Sequence, residues 1–139
     1  MTRQVRTSSV AAYDLGCDVV WCPRYRRPIL GGRVKTRLEK VIRAKADEHG
    51  WEIVALEVMP DHVHLFVKPH PKHSPPYVTN QFKGFTSHHL RAEFAHLRSQ
   101  LPILWSRSYF VATVGAVSAD SAQRYIETHC ERPNGGRRA

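Results

Sequence analysis

The chain has 139 residues, a formal net charge of +9 and a pI of about 9.9, which suits one domain with a hydrophobic core and favours a polyanionic partner over an unspecialised basic surface. No apolar run approaches the roughly 20 residues that a membrane-spanning helix needs, and the N-terminus lacks a signal peptide's apolar core, so the sequence predicts a cytoplasmic protein. Three cysteines without a Cys-x-x-Cys pair argue against a disulfide framework and fit a reducing compartment.

The first part of the chain predicts an arm, a strand and a basic loop. Residues 1–12 read as a loosely docked N-terminal arm, and apolar alternation from Tyr13 to Cys22 predicts a strand. Pro23 and Pro28 then bracket a segment that cannot form a central strand or a helix. Arginine binds phosphate through two N–H groups, and an aromatic ring can stack on a base, so this segment is a candidate DNA-binding loop. A solvated basic loop is the alternative. Its candidate contacts are Arg24, Tyr25, Arg26 and Arg27.

A helix and a hairpin follow the loop. Apolar residues recur at helical spacing after Gly31, and Gly50 supplies a stop, which predicts an amphipathic helix of about 15 residues. Residues 51–58 and 62–67 then read as two strands. The short turn at Pro60 and Asp61 predicts that they pair as an antiparallel hairpin.

The second strand of the hairpin carries a histidine pair. Alternating side chains place His62 and His64 on one face and Val63 and Leu65 on the core face. The two Cα atoms would lie roughly 6.6 Å apart, so both imidazoles are within reach of one metal ion. The alternative is two half-buried histidines without a ligand.

The second half of the chain predicts two further helices and a strand. A helix should run from Pro76 to about residue 97, and Gly84 inside it suggests a close backbone approach. Lys83 on that helix is a candidate DNA contact, with a solvated helical face as an equal alternative. A strand over 109–114, a last helix over 119–131 and a flexible basic tail over 132–139 complete a single domain without internal repeats or linkers.

The last helix displays Tyr125 and His129 four residues apart, and therefore on one face. An interfacial aromatic residue beside a surface histidine is the alternative explanation. Combined with the histidine pair, however, they suggest a chemistry. A metal held by His62, His64 and His129 would polarise a phosphoryl oxygen, and the Tyr125 phenol would attack phosphorus to give a covalent intermediate that can later be resealed.

In this light the sequence resembles the small single-strand tyrosine transposases of bacterial insertion sequences, within the HUH endonuclease superfamily. The resemblance covers about residues 13–130 and depends on several short segments in order and at the family's spacing. These segments are 20–26 (VWCPRYR), 57–65 (EVMPDHVHL), 82–84 (FKG), 104–110 (LWSRSYF), 113–115 (TVG) and 125–127 (YIE).

The resemblance implies an α+β fold, with a ferredoxin-like antiparallel sheet flanked by helices and a C-terminal helix that carries the nucleophile. His62 and His64 match the metal ligands and Tyr125 matches the nucleophile. It further implies a homodimer in which one subunit's tyrosine helix can complete its partner's site. The substrates would be single-stranded DNA hairpins at element ends, cleaved through a 5′-phosphotyrosine with Mg²⁺ or Mn²⁺ and without a nucleotide cofactor.

His129 departs from the resemblance, because many of these transposases carry glutamine at that position. Three imidazoles favour Mn²⁺ over Mg²⁺, which prefers oxygen ligands. Two alternatives to an active transposase remain open: a domesticated, repeat-associated hairpin nuclease and a catalytically inactive hairpin-binding autoregulator.

Overall fold

The structure, a computed structural model, describes residues 6–7, 12–13 and 16–113. A four-stranded antiparallel sheet with the order β4-β5-β3-β6 forms its centre. A separate short pair joins β1 to β2. The strands are β1 (Arg6–Thr7), β2 (Ala12–Tyr13), β3 (Cys17–Trp21), β4 (Glu52–Met59), β5 (His62–Lys68) and β6 (Phe110–Thr113).

Within the described residues three α-helices accompany the sheet: α1 (Gly32–His49), α2 (Pro75–Glu93) and α3 (Ala95–Gln100). Helix α1 ends where Gly50 adopts a left-handed conformation with φ of 71°, which residues with a Cβ rarely adopt. Ser74 caps the N-terminus of α2, because its side chain accepts a hydrogen bond from the Tyr77 backbone N–H at 3.2 Å.

The hydrophobic core lies between helices α1 and α2 and one face of the sheet. Val63, Leu65 and Val67 of β5 are fully buried in it, as the alternation predicted. Trp21 of β3 stacks on Phe82 of α2 at 6.3 Å between ring centroids. Burying a side chain of leucine size stabilises the fold by roughly 1.5–3 kcal/mol, so this face fixes the register of β5. His62 and His64 consequently face away from the core.

The predicted antiparallel sheet flanked by helices in a single small domain is confirmed. The helix expected over 76–97 is two helices, because Phe94 leaves the helical region at φ −120° and ψ 99°. The prediction that another backbone segment approaches Gly84 closely is wrong, since a Cβ at Gly84 would meet nothing within 4 Å. Within and next to the predicted N-terminal arm, the structure describes only the short β1-β2 ladder, in which Arg6 pairs with Tyr13.

The cysteines also differ from expectation. Cys17 is a free, buried thiol, whereas Cys22 is disulfide-bonded. Spacing arguments detect pairs that are close in sequence, but a fold can join cysteines that are far apart. The helix predicted over 119–131 and the tail over 132–139 lie outside the described residues. No helix within the described ranges is long and apolar enough to cross a membrane.

Candidate functional site

The histidine pair lies on the sheet face opposite the helices. In the β5 ladders His62 is opposite Met59, and His64 is flanked by Glu57 on β4 and Val20 on β3. Both histidines are half-buried. Because β5 pairs with β3 on one side and β4 on the other, the backbone positions of both histidines are fixed by the sheet.

His62 is oriented by the turn that precedes it. Its Nδ1 donates a hydrogen bond to Asp61 Oδ1 at 2.9 Å, and Asp61 Oδ2 accepts from Arg26 Nε at 2.8 Å. Burial alone would raise the pKa of Asp61, but the bonds from His62 and Arg26 outweigh it and lower that pKa. Asp61 is thus held as a carboxylate, and in the neutral Nδ1–H tautomer of His62 the ring lone pair is on Nε2.

His64 is oriented by Asp18 of β3, whose Oδ1 lies 2.5 Å from His64 Nε2. This hydrogen bond raises the pKa of His64, whereas partial burial acts in the opposite direction. A cavity of about 310 Å³ adjoins this pair on the sheet face. It is lined by Asp18, Ala55, Leu56, Glu57, His64 and Phe66.

These residues fit part of a divalent-metal site. The two imidazoles of His62 and His64 are donors that Mn²⁺ and similar ions accept. Within residues 16–113 and the short N-terminal pair, no group of three or more such side chains is close enough to hold an ion. Tyr125 and His129, the predicted nucleophile and third ligand, lie outside the described residues.

The predicted DNA-binding loop forms a single 3₁₀ turn over Arg24–Arg26. The Arg24 guanidinium lies 5.2 Å from the centroid of the Tyr25 ring, which is exposed. Arg26 instead points inward to Asp61. Arg27 is half-buried, and its Nε has no hydrogen-bond partner among the described residues. Tyr25 is therefore the exposed side chain of this turn, and the half-buried Arg24 lies against its ring.

Lys83, the fifth predicted DNA contact, reaches across to the segment before β6. Its Nζ donates to the carbonyl oxygens of Ser106 at 2.7 Å and Arg107 at 3.2 Å, and it lies 5.2 Å from the Tyr109 ring centroid. Burial lowers the pKa of Lys83 to about 8. Through these hydrogen bonds Lys83 connects α2 to the segment before β6.

Sequence reasoning did not identify Asp18 and Asp61 as partners of the histidines. Asp61 had a local signal, since it directly precedes His62 in a tight turn. Asp18 had none, because its distance of 46 positions from His64 is closed only by the pairing of β3 with β5.

Residues 11–129 match the family described as "Transposase IS200 like". The chain belongs to the IS200-like transposase family. It is 32% identical to the ISDra2 transposase TnpA of Deinococcus radiodurans over 122 residues, which cover 86% of this chain and 87% of that protein. It is 28% identical to the transposase for insertion sequence element IS200 of Salmonella typhimurium over 120 residues, 85% of this chain and 78% of the other.

Solved structures support the assignment of this IS200-like transposase. A candidate transposase from Deinococcus radiodurans R1 superposes with a TM-score of 0.83 at 32% identity, covering 91% of this chain and 98% of that one. A REP-associated tyrosine transposase, solved bound to a REP hairpin, gives a TM-score of 0.54 at 18% identity, with 81% and 65% of the two chains covered. The second likeness supports the fold alone.

Proposed function

We propose that this IS200-like transposase nicks and rejoins single-stranded DNA at the hairpin-bearing ends of an insertion sequence. The observation that carries the proposal is the histidine pair on the outer sheet face, with each ring held by a carboxylate. Histidines that ligate a metal commonly donate their other ring N–H to a carboxylate, and each ring of this pair lies within hydrogen-bond distance of one. The family match also spans residues 11–129, which include Tyr125 and His129.

In the proposed reaction the Tyr125 oxygen attacks the scissile phosphorus. A bond forms between that oxygen and phosphorus, the bond to the 3′ oxygen breaks, and the 3′ oxygen leaves as a hydroxyl after taking up a proton. Rejoining reverses the step when a 3′-hydroxyl attacks the 5′-phosphotyrosine. A phenol has an ordinary pKa near 10, so at neutral pH it needs a base or a nearby positive charge to become nucleophilic.

His62, His64 and His129 would hold the divalent ion, Mg²⁺ or Mn²⁺. When bound, that ion supplies Lewis-acid polarisation of a phosphoryl oxygen. Asp61 and Asp18 keep the two β5 rings in place. No nucleotide cofactor enters this scheme, because the phosphotyrosine bond conserves the energy of the phosphodiester.

The proposed DNA surface begins with Arg24 and Tyr25. The exposed Tyr25 ring can stack on a base, and the guanidinium of the adjacent Arg24 can bind a phosphate through two N–H groups. The hairpin in the REP-associated relative agrees with a hairpin substrate for this chain. The protein is proposed to act as a homodimer, in which each tyrosine helix completes the metal site of the partner.

The test is a single-stranded oligonucleotide that carries a hairpin and a flanking cleavage site, incubated with the protein and Mn²⁺. We expect a covalent protein–DNA band that Tyr125→Phe abolishes while hairpin affinity is retained. Tyr109→Phe, which removes another tyrosine hydroxyl, is the matched control and should still form the band. Tight hairpin binding without any covalent band would instead favour the inactive autoregulator.

A further inference from the structure

The Arg26 side chain is directed into the protein, although the sequence predicted it as a DNA contact. Its side chain is only 13% exposed, and its Nε donates to Asp61 Oδ2 at 2.8 Å. Neighbouring Tyr25 is 45% exposed. A guanidinium bonded to a carboxylate is poorly placed to bind a phosphate as well, so Arg26 needs another explanation.

Asp61 connects Arg26 to His62. One carboxylate oxygen accepts from Arg26 and the other accepts from Nδ1 of His62 at 2.9 Å. An acceptor at Nδ1 places the ring proton there and leaves the Nε2 lone pair for a ligand. The orientation of Asp61 therefore sets both the tilt of the His62 ring and its tautomer.

The loop backbone is shaped so that Arg26 reaches Asp61. Tyr25 and Arg26 have φ values of 60° and 54°, in the left-handed region that residues with side chains rarely adopt. The loop is also tied to the turn beside Asp61, because the Leu30 N–H donates to the Pro60 carbonyl at 3.0 Å. At its other end the Arg24 N–H donates to the Leu104 carbonyl at 2.8 Å.

We propose that Arg26 is a positioning residue of the metal centre, which holds Asp61 so that Nε2 of His62 stays available to the divalent ion. This inference rests on the proposed function, because it requires His62 to be a metal ligand. The loop then has two separate tasks: Arg24 and Tyr25 face the DNA, and Arg26 supports the metal site.

Two measurements test the proposal without an activity assay. The first is Mn²⁺ affinity, followed by the electron paramagnetic resonance signal of free Mn²⁺. Because losing a direct partner of a ligating histidine weakens metal binding by about 10- to 100-fold, we expect Asp61→Ala to raise the Kd at least about tenfold. Arg26→Gln should also raise the Kd, by a smaller factor, because Arg26 acts on His62 only through Asp61. The double variant should be no weaker than Asp61→Ala alone, since both act through one carboxylate.

The second measurement is the tautomer of His62 in the metal-free protein, read from ring ¹⁵N shifts at about pH 8, above the ordinary histidine pKa. Wild-type protein should show the Nδ1–H form, and Arg26→Gln should shift the ring toward Nε2–H. A general loss of packing would not produce this selective change. Arg26→Lys keeps the charge but removes the Nε donor, and it gives the same test if Arg26→Gln does not fold.

Arg43→Gln, at an exposed position of α1, is the control for the loss of one positive charge, and it should change neither measurement. If His62→Ala leaves Mn²⁺ affinity unchanged, the metal centre of the proposed function fails, and this inference fails with it. If His62→Ala loses Mn²⁺ while Arg26→Gln keeps wild-type affinity and tautomer, only the role of Arg26 is overturned. Loss of hairpin affinity alone in Arg26→Gln would instead make Arg26 a phosphate contact.

Discussion

At the scale of single residues, two basic side chains of this transposase form hydrogen bonds within the protein. Lys83 holds two backbone carbonyls of the segment before β6, and Arg26 holds Asp61. Both were expected to bind DNA because of their charge. A net charge of +9 therefore describes the potential of the whole surface, and it does not identify which cations meet the phosphates.

Lys83 should leave a signature in the pH dependence of stability. Its folded-state pKa of about 8 lies below the ordinary 10.5, so the unfolded chain binds more protons between these values. The free energy of unfolding therefore gains a contribution that rises with pH across this window. Lys83→Met removes it, and the stability of the wild-type protein relative to the variant should grow from about pH 8 to about pH 10 in urea unfolding. A constant difference would contradict the assignment.

The imidazole at position 129 should set the metal preference. With three histidine ligands we expect Mn²⁺ to support cleavage better than Mg²⁺, because nitrogen ligands favour transition metals. A metal titration of hairpin cleavage measures this preference directly. His129→Gln should shift the preference toward Mg²⁺, whereas His129→Ala should weaken Mn²⁺ binding. Equal rates with both metals in the unaltered protein would defeat the idea.

At the scale of secondary structure, α2 carries a glycine that the fold does not require. Gly84 lies inside α2, is exposed, and has open space where a Cβ would stand. Glycine in a helix interior costs about 1 kcal/mol relative to alanine. No contact within the described residues therefore requires a glycine at this position.

Gly84→Ala should accordingly raise the free energy of unfolding by about 1 kcal/mol, measured by urea denaturation. Gly50→Ala is the matched control, because Gly50 has φ of +71° and a Cβ there is strained. That variant should be less stable than the wild-type protein. Unchanged or lower stability of Gly84→Ala would show that the glycine has a structural role in α2.

The strands and the histidine pair could be predicted because alternation in β5 fixes which side chains are buried. Val63 and Leu65 are fully buried, and His62 and His64 lie opposite them. Two features could not be predicted. The inward turn of Arg26 depends on unusual φ values in a loop without periodicity, and the contact of Asp18 with His64 depends on the β3-β5 pairing.

At the scale of the whole molecule, the proposal requires two distant parts of the sequence to meet. The histidine pair is at the middle of the chain, and Tyr125 is near its end. The proposed function places this meeting between two subunits. Mixing His62→Ala with Tyr125→Phe should then restore covalent adduct in the heterodimer, since one subunit supplies the histidines and the other the tyrosine. Heterodimers that form no adduct would show that each site is built within one subunit.

The measurement that tests the central claim most directly is a crystal structure of Tyr125→Phe with Mn²⁺ and an uncleaved hairpin oligonucleotide. Anomalous scattering locates the manganese independently of any model of the protein. We predict one anomalous peak in contact with the His62 and His64 rings, and the residue 125 ring from either subunit beside it. A manganese peak away from the histidine pair, or a residue 125 ring far from it in every subunit arrangement, would contradict the account.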